Sequence, residues 1–225
     1  MNQLAIKAIV GFSQLILVLG IILFVPPWTL GFWQGWLFLG IFAASSAAIS
    51  FYLWWKDPQL LERRVRAGPG AEKEKRQQLI QALAAAAFIA TILVPSLDRR
   101  FGWSAVPIPL EITGDVLVAA GFLLVFFVFR ENTYTAATIE VSAGQSVVSS
   151  GPYAFVRHPM YAGALVFLFG TPLALGSWWG LFTFVPMAAV IVWRLLAEED
   201  SLAKSLPGYT EYCRQVRYRL IPGVW

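Results

Sequence analysis

The chain has 225 residues, 58% of them hydrophobic and 13% charged, with a mean hydropathy of +0.64. Soluble domains carry about a quarter charged residues, so this composition excludes an ordinary soluble enzyme and suits about six membrane spans of roughly 20 residues. The 17 Lys and Arg outnumber the 13 Asp and Glu. In so apolar a chain that excess marks cytoplasmic loops rather than a nucleic-acid surface, and the lone Cys213 excludes an intramolecular disulfide.

Hydrophobic runs predict helices near residues 5–25, 32–55, 79–95, 111–130, 159–175 and 178–197. The first begins with a basic residue, Lys7, but it is longer than the apolar part of a signal peptide. No small-residue cleavage pattern precedes Pro26 and Pro27, so it reads as a retained span. Pro95, Pro107, Pro109 and Pro159 punctuate later helix ends. The third run is short and Ala-rich, which suits close helix packing. The last two form a hairpin turning at Gly176 and Ser177, with Pro172 and Pro186 available to bend them. The expected fold is all-α: a polytopic integral membrane protein with five or six transmembrane helices. Residues 1–137 are expected to hold the N-terminal spans and a basic loop, and 138–225 the last two apolar runs and the tail.

Between the second and third runs, residues 56–78 are mixed in charge and broken by Gly68, Pro69 and Gly70. They are expected to lie on the membrane surface, with Arg63, Arg64 and Arg66 near anionic headgroups. Six alternating spans from a cytoplasmic N-terminus put 15 of the 17 Lys and Arg on one side, with Arg99 and Arg100 opposite. The positive-inside rule makes that side the cytoplasm. Trp28, Trp33, Trp36, Trp103, Trp178 and Trp179 then gather at the outer ends, and Trp54, Trp55 and Trp193 toward the inner ends, as an aromatic belt.

Residues 151–163, GPYAFVRHPMYAG, set Tyr153, Arg157, Tyr161 and the chain's one histidine, His158, at the start of an apolar run. Ionisable groups at the edge of a hydrocarbon segment are costly and persist where they line a ligand cavity or anchor at the interface. Pro159 suits a first helical position, so the backbone N–H groups after it and the charge of Arg157 offer a place for an anion. A second cluster, Arg194, Glu198, Glu199 and Asp200, falls at the end of the last run. Arg194 and Glu198 are four apart and share a helical face, where they can pair with each other or with a zwitterion. The short hairpin returns both clusters to the same membrane face. The tail alternates aromatic and basic residues; Tyr209 and Tyr212 either cover a pocket or lie on the membrane surface. There is no P-loop, dinucleotide fingerprint or zinc-ligand spacing, and the charges gather at one face rather than at the midplane site of a transporter.

The joint pattern GPYxxxRHPxYxG, an apolar hairpin, an Arg/Glu pair and GYxxYxxxVxxRxxPG resembles the isoprenylcysteine carboxyl methyltransferase family, which also includes phospholipid methyltransferases. The resemblance covers residues 138–225 and implies an integral membrane methyltransferase that uses S-adenosylmethionine, releases S-adenosylhomocysteine and has no Rossmann domain. It implies a cytoplasm-facing cofactor pocket, lined on the adenosine side by Gln145, Ser146, Val147 and Val148. Further cofactor contacts would come from Tyr153, His158, Pro159, Met160, Tyr161 and Glu198. Arg194 would orient the acceptor, with Tyr209 and Tyr212 beside it, and Arg157 would support the pocket electrostatically. No metal is implied. The acceptor would be lipophilic and arrive from the bilayer, as a prenylcysteine-like or other lipid carboxylate; the alternative is a phospholipid amine, with Glu198, Glu199 or His158 as base. The acidic run is shorter than in eukaryotic members, and the small size resembles members of prokaryotic inner membranes. The RHPxYxG stretch and the tail also resemble NADPH-dependent sterol-type membrane reductases, which carry Asn where Met160 stands. A non-catalytic lipid-binding module is the remaining alternative.

Overall fold

A computed structural model describes residues 3–65, 69–72, 74–135, 137–138 and 144–225. Among these residues the chain is all-helical: α1 (Gln3–Phe24), α2 (Trp33–Lys56), α3 (Pro58–Val65), α4 (Lys75–Phe101), α5 (Ile108–Glu131), α6 (Pro159–Ala174), α7 (Trp178–Ser205) and α8 (Tyr209–Gln215). Helices α1, α2, α4, α5 and α7 are long and apolar enough to span a membrane. The 16-residue α6 is apolar but shorter, about 24 Å at 1.5 Å per residue. Large hydrophobic side chains stay exposed along the long helices, among them Leu17, Phe51, Val116 and Val185. Helices apolar around their whole circumference belong in lipid, and this is a polytopic membrane protein.

The most extensive contact joins α5 to α6, which run antiparallel. It is built on glycines spaced seven apart on each helix: Gly114 and Gly121 face Gly170 and Gly163. A Cβ at Gly114 would stand 2.2 Å from the Ala174 backbone nitrogen, and one at Gly121 would stand 2.6 Å from the Gly163 carbonyl oxygen. Lipid tails are as apolar as side chains, so helix association in a bilayer depends on this kind of close backbone fit. The long helices α4 and α7 pack beside this pair, and α1 and α2 complete the bundle. A core of Leu19, Leu23, Phe38, Phe42, Ile92 and Val118 ties α1, α2, α4 and α5 together.

Three expectations change. Pro95 does not end the third run: α4 continues to Phe101, where Gly102, at φ 63°, caps it. Pro95 instead packs against Gly180 of α7, where a Cβ would come within 2.8 Å of its ring. Beyond it, the buried Asp98 accepts hydrogen bonds from Ser104 and from Ser177, both at 2.5 Å, and so staples the α4–α5 and α6–α7 turns at one end of the bundle. The last long helix extends to Ser205, so Glu198, Glu199 and Asp200 lie within a helix and not at its end. Finally, the 56–78 segment is not simply a surface loop. Leu60 and Leu61 of α3 are buried, Glu72 is 5% exposed and Gln77 is buried. Arg63 donates to the Thr133 carbonyl oxygen at 2.6 Å, Arg64 turns inward, and Arg66 lies outside the described residues.

Replacing Gly114 by Ala forces a methyl group into backbone. The variant is expected to lose about 1–3 kcal/mol of stability, read as a lower unfolding midpoint in detergent. Gly40→Ala on α2, where nothing lies within 4 Å of the new methyl, should leave the midpoint unchanged. Equal midpoints for both variants would remove the glycine contact as the basis of α5–α6 pairing.

Candidate functional site

At the end of the bundle opposite the Asp98 staple, the chain between α5 and α6 approaches its helix through a tight turn. Gly151, at φ 57°, starts a 3-10 turn, residues 151–154, and its Cα lies so close to Glu131 that a Cβ would meet that side chain at 2.9 Å. Ser150 donates a hydrogen bond to the same Glu131 carboxylate. Pro159 then opens α6 with His158 at its N-cap position. The N–H groups of Arg157 and His158 donate to the carbonyl oxygens of Tyr218 and Arg219 at 2.9 and 3.0 Å. The tail is therefore fastened along the motif.

The side chains complete this clamp. Glu199 accepts from Arg157 at 3.0 Å and from Arg219 at 2.8 Å, and lies 3.2 Å from His158 Nε2. One carboxylate thereby joins α7, the start of α6 and the tail. Its neighbours in sequence do different things. Glu198 accepts a 2.6 Å hydrogen bond from the Tyr161 hydroxyl and faces a cavity, whereas Asp200 is exposed and pairs with Lys204. Arg194 does not form its main pair with Glu198. It binds Glu72 at 2.9 Å and also donates to the Ala137 carbonyl oxygen at 2.9 Å, which fixes it to the segments before α4 and after α5.

The cavity has a volume of about 640 Å³, within the range of small-ligand sites. Its polar part is lined by Gln145, Ser146, Val147, Val148, Tyr153, Arg157, His158, Met160, Tyr161, Arg194, Glu198, Tyr209 and Tyr212. Pro159 is buried and does not line it. Its apolar part runs between α1, α2 and α5 past Leu15, Ile49, Leu53, Phe122, Val125 and Phe129. Tyr212 donates to the Tyr153 carbonyl oxygen at 2.8 Å, and Asn132 donates to the Tyr153 hydroxyl at 3.0 Å. Burial pushes the phenols of Tyr153, Tyr209 and Tyr212 up from their usual value, so all three stay neutral at physiological pH. The Tyr209 hydroxyl lines the cavity, buried and without a hydrogen-bond partner among the described residues. An orphaned buried hydroxyl in a cavity wall suits a polar ligand that completes its bonding. With Glu198 beside it, the polar part offers both a hydroxyl and a carboxylate to a ligand bearing an ammonium group and ribose hydroxyls.

Sequence reasoning passed over Arg64, Asn132, Glu72 and Arg219 as parts of this constellation. Arg219 had a signal, its place in the tail pattern. Glu72 and Asn132 had none, since each reaches its partner across long stretches of chain.

Residues 110–207, from the start of α5 to just past α7, match the family described as Phospholipid methyltransferase. The match is consistent with the isoprenylcysteine carboxyl methyltransferase and phospholipid methyltransferase family of membrane methyltransferases, and it supports a membrane methyltransferase. Proteins of that family generally use S-adenosylmethionine. The chain is also similar to the Delta(14)-sterol reductase TM7SF2 of Mus musculus, 28% identical over 137 residues, which cover 53% of this chain and 33% of that protein. The chain thus spans about a third of the length of that relative.

If Glu199 is the clamp, Glu199→Ala should release the tail and leave the bundle standing. Limited proteolysis within 214–219 is expected to speed up roughly tenfold or more, a change of about 1.4 kcal/mol in local opening. Cleavage at the wild-type rate would mean that the backbone pairing alone holds the tail.

Proposed function

We propose that this protein is an S-adenosylmethionine-dependent membrane methyltransferase that methylates a lipophilic acceptor, most simply a prenylcysteine-like or other lipid carboxylate, at an active site facing the cytoplasm. One observation carries this reading: a single cavity joins a polar compartment containing Glu198, Tyr161 and the orphaned Tyr209 hydroxyl to an apolar limb between spans α1, α2 and α5. A water-soluble cofactor and a lipid tail need opposite environments, and the two meet here. The 110–207 family match supports the same chemistry.

When bound, S-adenosylmethionine would supply an electrophilic methyl group for a carboxylate oxygen, with S-adenosylhomocysteine as the other product. No proton is moved and no covalent enzyme intermediate is needed. The protein's work is then to bind, align and exclude water. In this proposal Glu198, held by Tyr161, receives the amino or ribose end of the cofactor. Gln145, Ser146, Val147 and Val148 would hold the adenosine side, and Tyr153, His158, Met160 and Tyr161 would make further contacts to the cofactor. Arg194, fixed by Glu72, presents its guanidinium to an acceptor oxygen. Arg157 contributes through the Glu199 clamp, and Tyr209 and Tyr212 bring the tail over the site. For an amine acceptor, Glu198 is the carboxylate placed to take a proton, because Glu199 is already engaged by three basic side chains.

A second reading, an NADPH-dependent reductase, has support in the similarity to the mouse sterol reductase. Calorimetric titration of the purified protein with S-adenosylmethionine, S-adenosylhomocysteine and NADPH separates the two. The expected result is binding of the first two, with Glu198→Gln weakening both about tenfold or more. Arg194→Ala should keep cofactor affinity but lower kcat/KM for a farnesylcysteine carboxylate about a hundredfold, the scale of losing a buried charge contact to substrate. Binding of NADPH alone would move the protein to the reductases. Full affinity and turnover in both variants would overturn the assigned roles.

A further inference from the structure

At the end of the bundle opposite the polar compartment, four buried oxygen atoms have nothing to bond to. Among the described residues, Gln34 Oε1, Glu111 Oε2 and both carboxylate oxygens of Asp115 lack a hydrogen-bond partner. Gln34 is 8% exposed, and Glu111 and Asp115 are 4% exposed each. None of the three lines the cavity. Their convergence is built by the fold. Glu111 lies in the first turn of α5, and Asp115 follows four residues later on the same helical face. Gln34, the second residue of α2, donates from Nε2 to Glu111 Oε1 at 3.1 Å, which brings its own orphaned oxygen to the carboxylates. The α6–α7 turn closes over the group: Gly176, at φ 73°, lies so near that a Cβ there would stand 2.8 Å from Glu111 Oε1. The next residue, Ser177, donates to Asp98, so the same turn satisfies that carboxylate and leaves Glu111 and Asp115 unmet.

Ionised carboxylates only accept hydrogen bonds, and two of them held together out of water repel each other and keep their desolvation cost. The start of α5 favours a negative charge near it, but it supplies no donor to these four atoms. One shared proton would supply a single donor and cancel one charge. A doubly charged hard cation cancels both charges and takes oxygen ligands, roughly 6–8 for calcium and about six for magnesium, with water completing the set. We propose that Gln34, Glu111 and Asp115 hold a divalent cation, calcium or magnesium, that ties the starts of α2 and α5 together under the α6–α7 turn. Each of the three lies within about two turns of the start of its helix, so the ion reaches them from the aqueous edge of the bundle. The site is separate from the cavity and independent of the methyltransferase reading.

The full chain, purified in detergent with a chelator and then freed of it, is titrated calorimetrically with calcium chloride and with magnesium chloride. Its unfolding midpoint is followed with each salt against sodium chloride at equal ionic strength. The wild type is expected to bind one ion with a dissociation constant on the order of 1 mM or tighter. At a hundredfold excess over that constant the midpoint should rise by roughly 5 °C. The tighter of the two salts names the ion. Asp115→Asn and Glu111→Gln should each lose the binding and the rise, whereas Glu211→Gln, at an exposed carboxylate of α8, should keep both. Without ion, the first two variants should unfold no earlier than the ion-free wild type, because each removes an unpaired buried charge.

Absence of saturable binding by the wild type, equal stabilisation by sodium chloride, or undiminished binding in either carboxylate variant would each overturn the site. Ion-free carboxylate variants that unfold earlier than the ion-free wild type, or fail to fold, would overturn it too, since the carboxylates would then hold the bundle without an ion.

Discussion

The carboxylate of Glu199 joins pieces of chain that no local rule would bring together. It takes Arg157 and His158 from the start of α6 and Arg219 from the tail, and it presents itself from inside the last two turns of α7. With side-chain exposure of 12% for Glu199, 10% for Arg157 and 4% for His158, these charges are largely out of water, where removing one partner costs more than forming the pair gains. Satisfied by several donors, the carboxylate fixes the direction of α7. That direction points Glu198, the next residue back, at the cavity and Asp200, the next residue on, at solvent. Three consecutive acids thus have three separate fates, set by one turn of helix.

The glycine contact between α5 and α6 acts at a larger scale. Backbone on backbone leaves no room to slide, so the start of α6 is held at a fixed height relative to the end of α5. Asn132, just past α5, can then reach the Tyr153 hydroxyl. The Asp98 staple does comparable work at the far end, where Ser104 and Ser177 bind a carboxylate that is 1% exposed. Both ends of the short α6 are therefore pinned, and the bundle tolerates a helix too short to span a membrane by itself.

Charge is distributed with economy around the cavity. Glu72 fixes Arg194, and Glu199 fixes Arg157. A lipophilic molecule entering between the spans would meet hydrocarbon first, then the compartment of Glu198 and Tyr161. The proposed methyl transfer uses that order: tail in the apolar limb, cofactor beyond it.

Much of this molecule was written in its sequence. Runs of apolar residues placed the five long helices and α6, because a helix in lipid must hide its backbone polar groups and needs little else to form. The spacing within 151–163 and 208–223 marked the residues that meet around the cavity, and basic loops marked the end of the bundle where they meet. The tertiary structure decided the pairings. Helices that are apolar on every side carry no stripe to say which face meets a neighbour, so the glycine register of α5 and α6 emerged only from packing. Glu72, Arg64 and Asn132 have local sequences that read as ordinary polar loop or helix end; each gained its place from contacts formed across the fold. Composition and periodicity determine that the chain lies in a membrane and where its helices run. Which charges are neutralised, and which face a ligand, is settled by long-range contacts, because burial makes a charge depend on its neighbours in space more than on its neighbours in the chain.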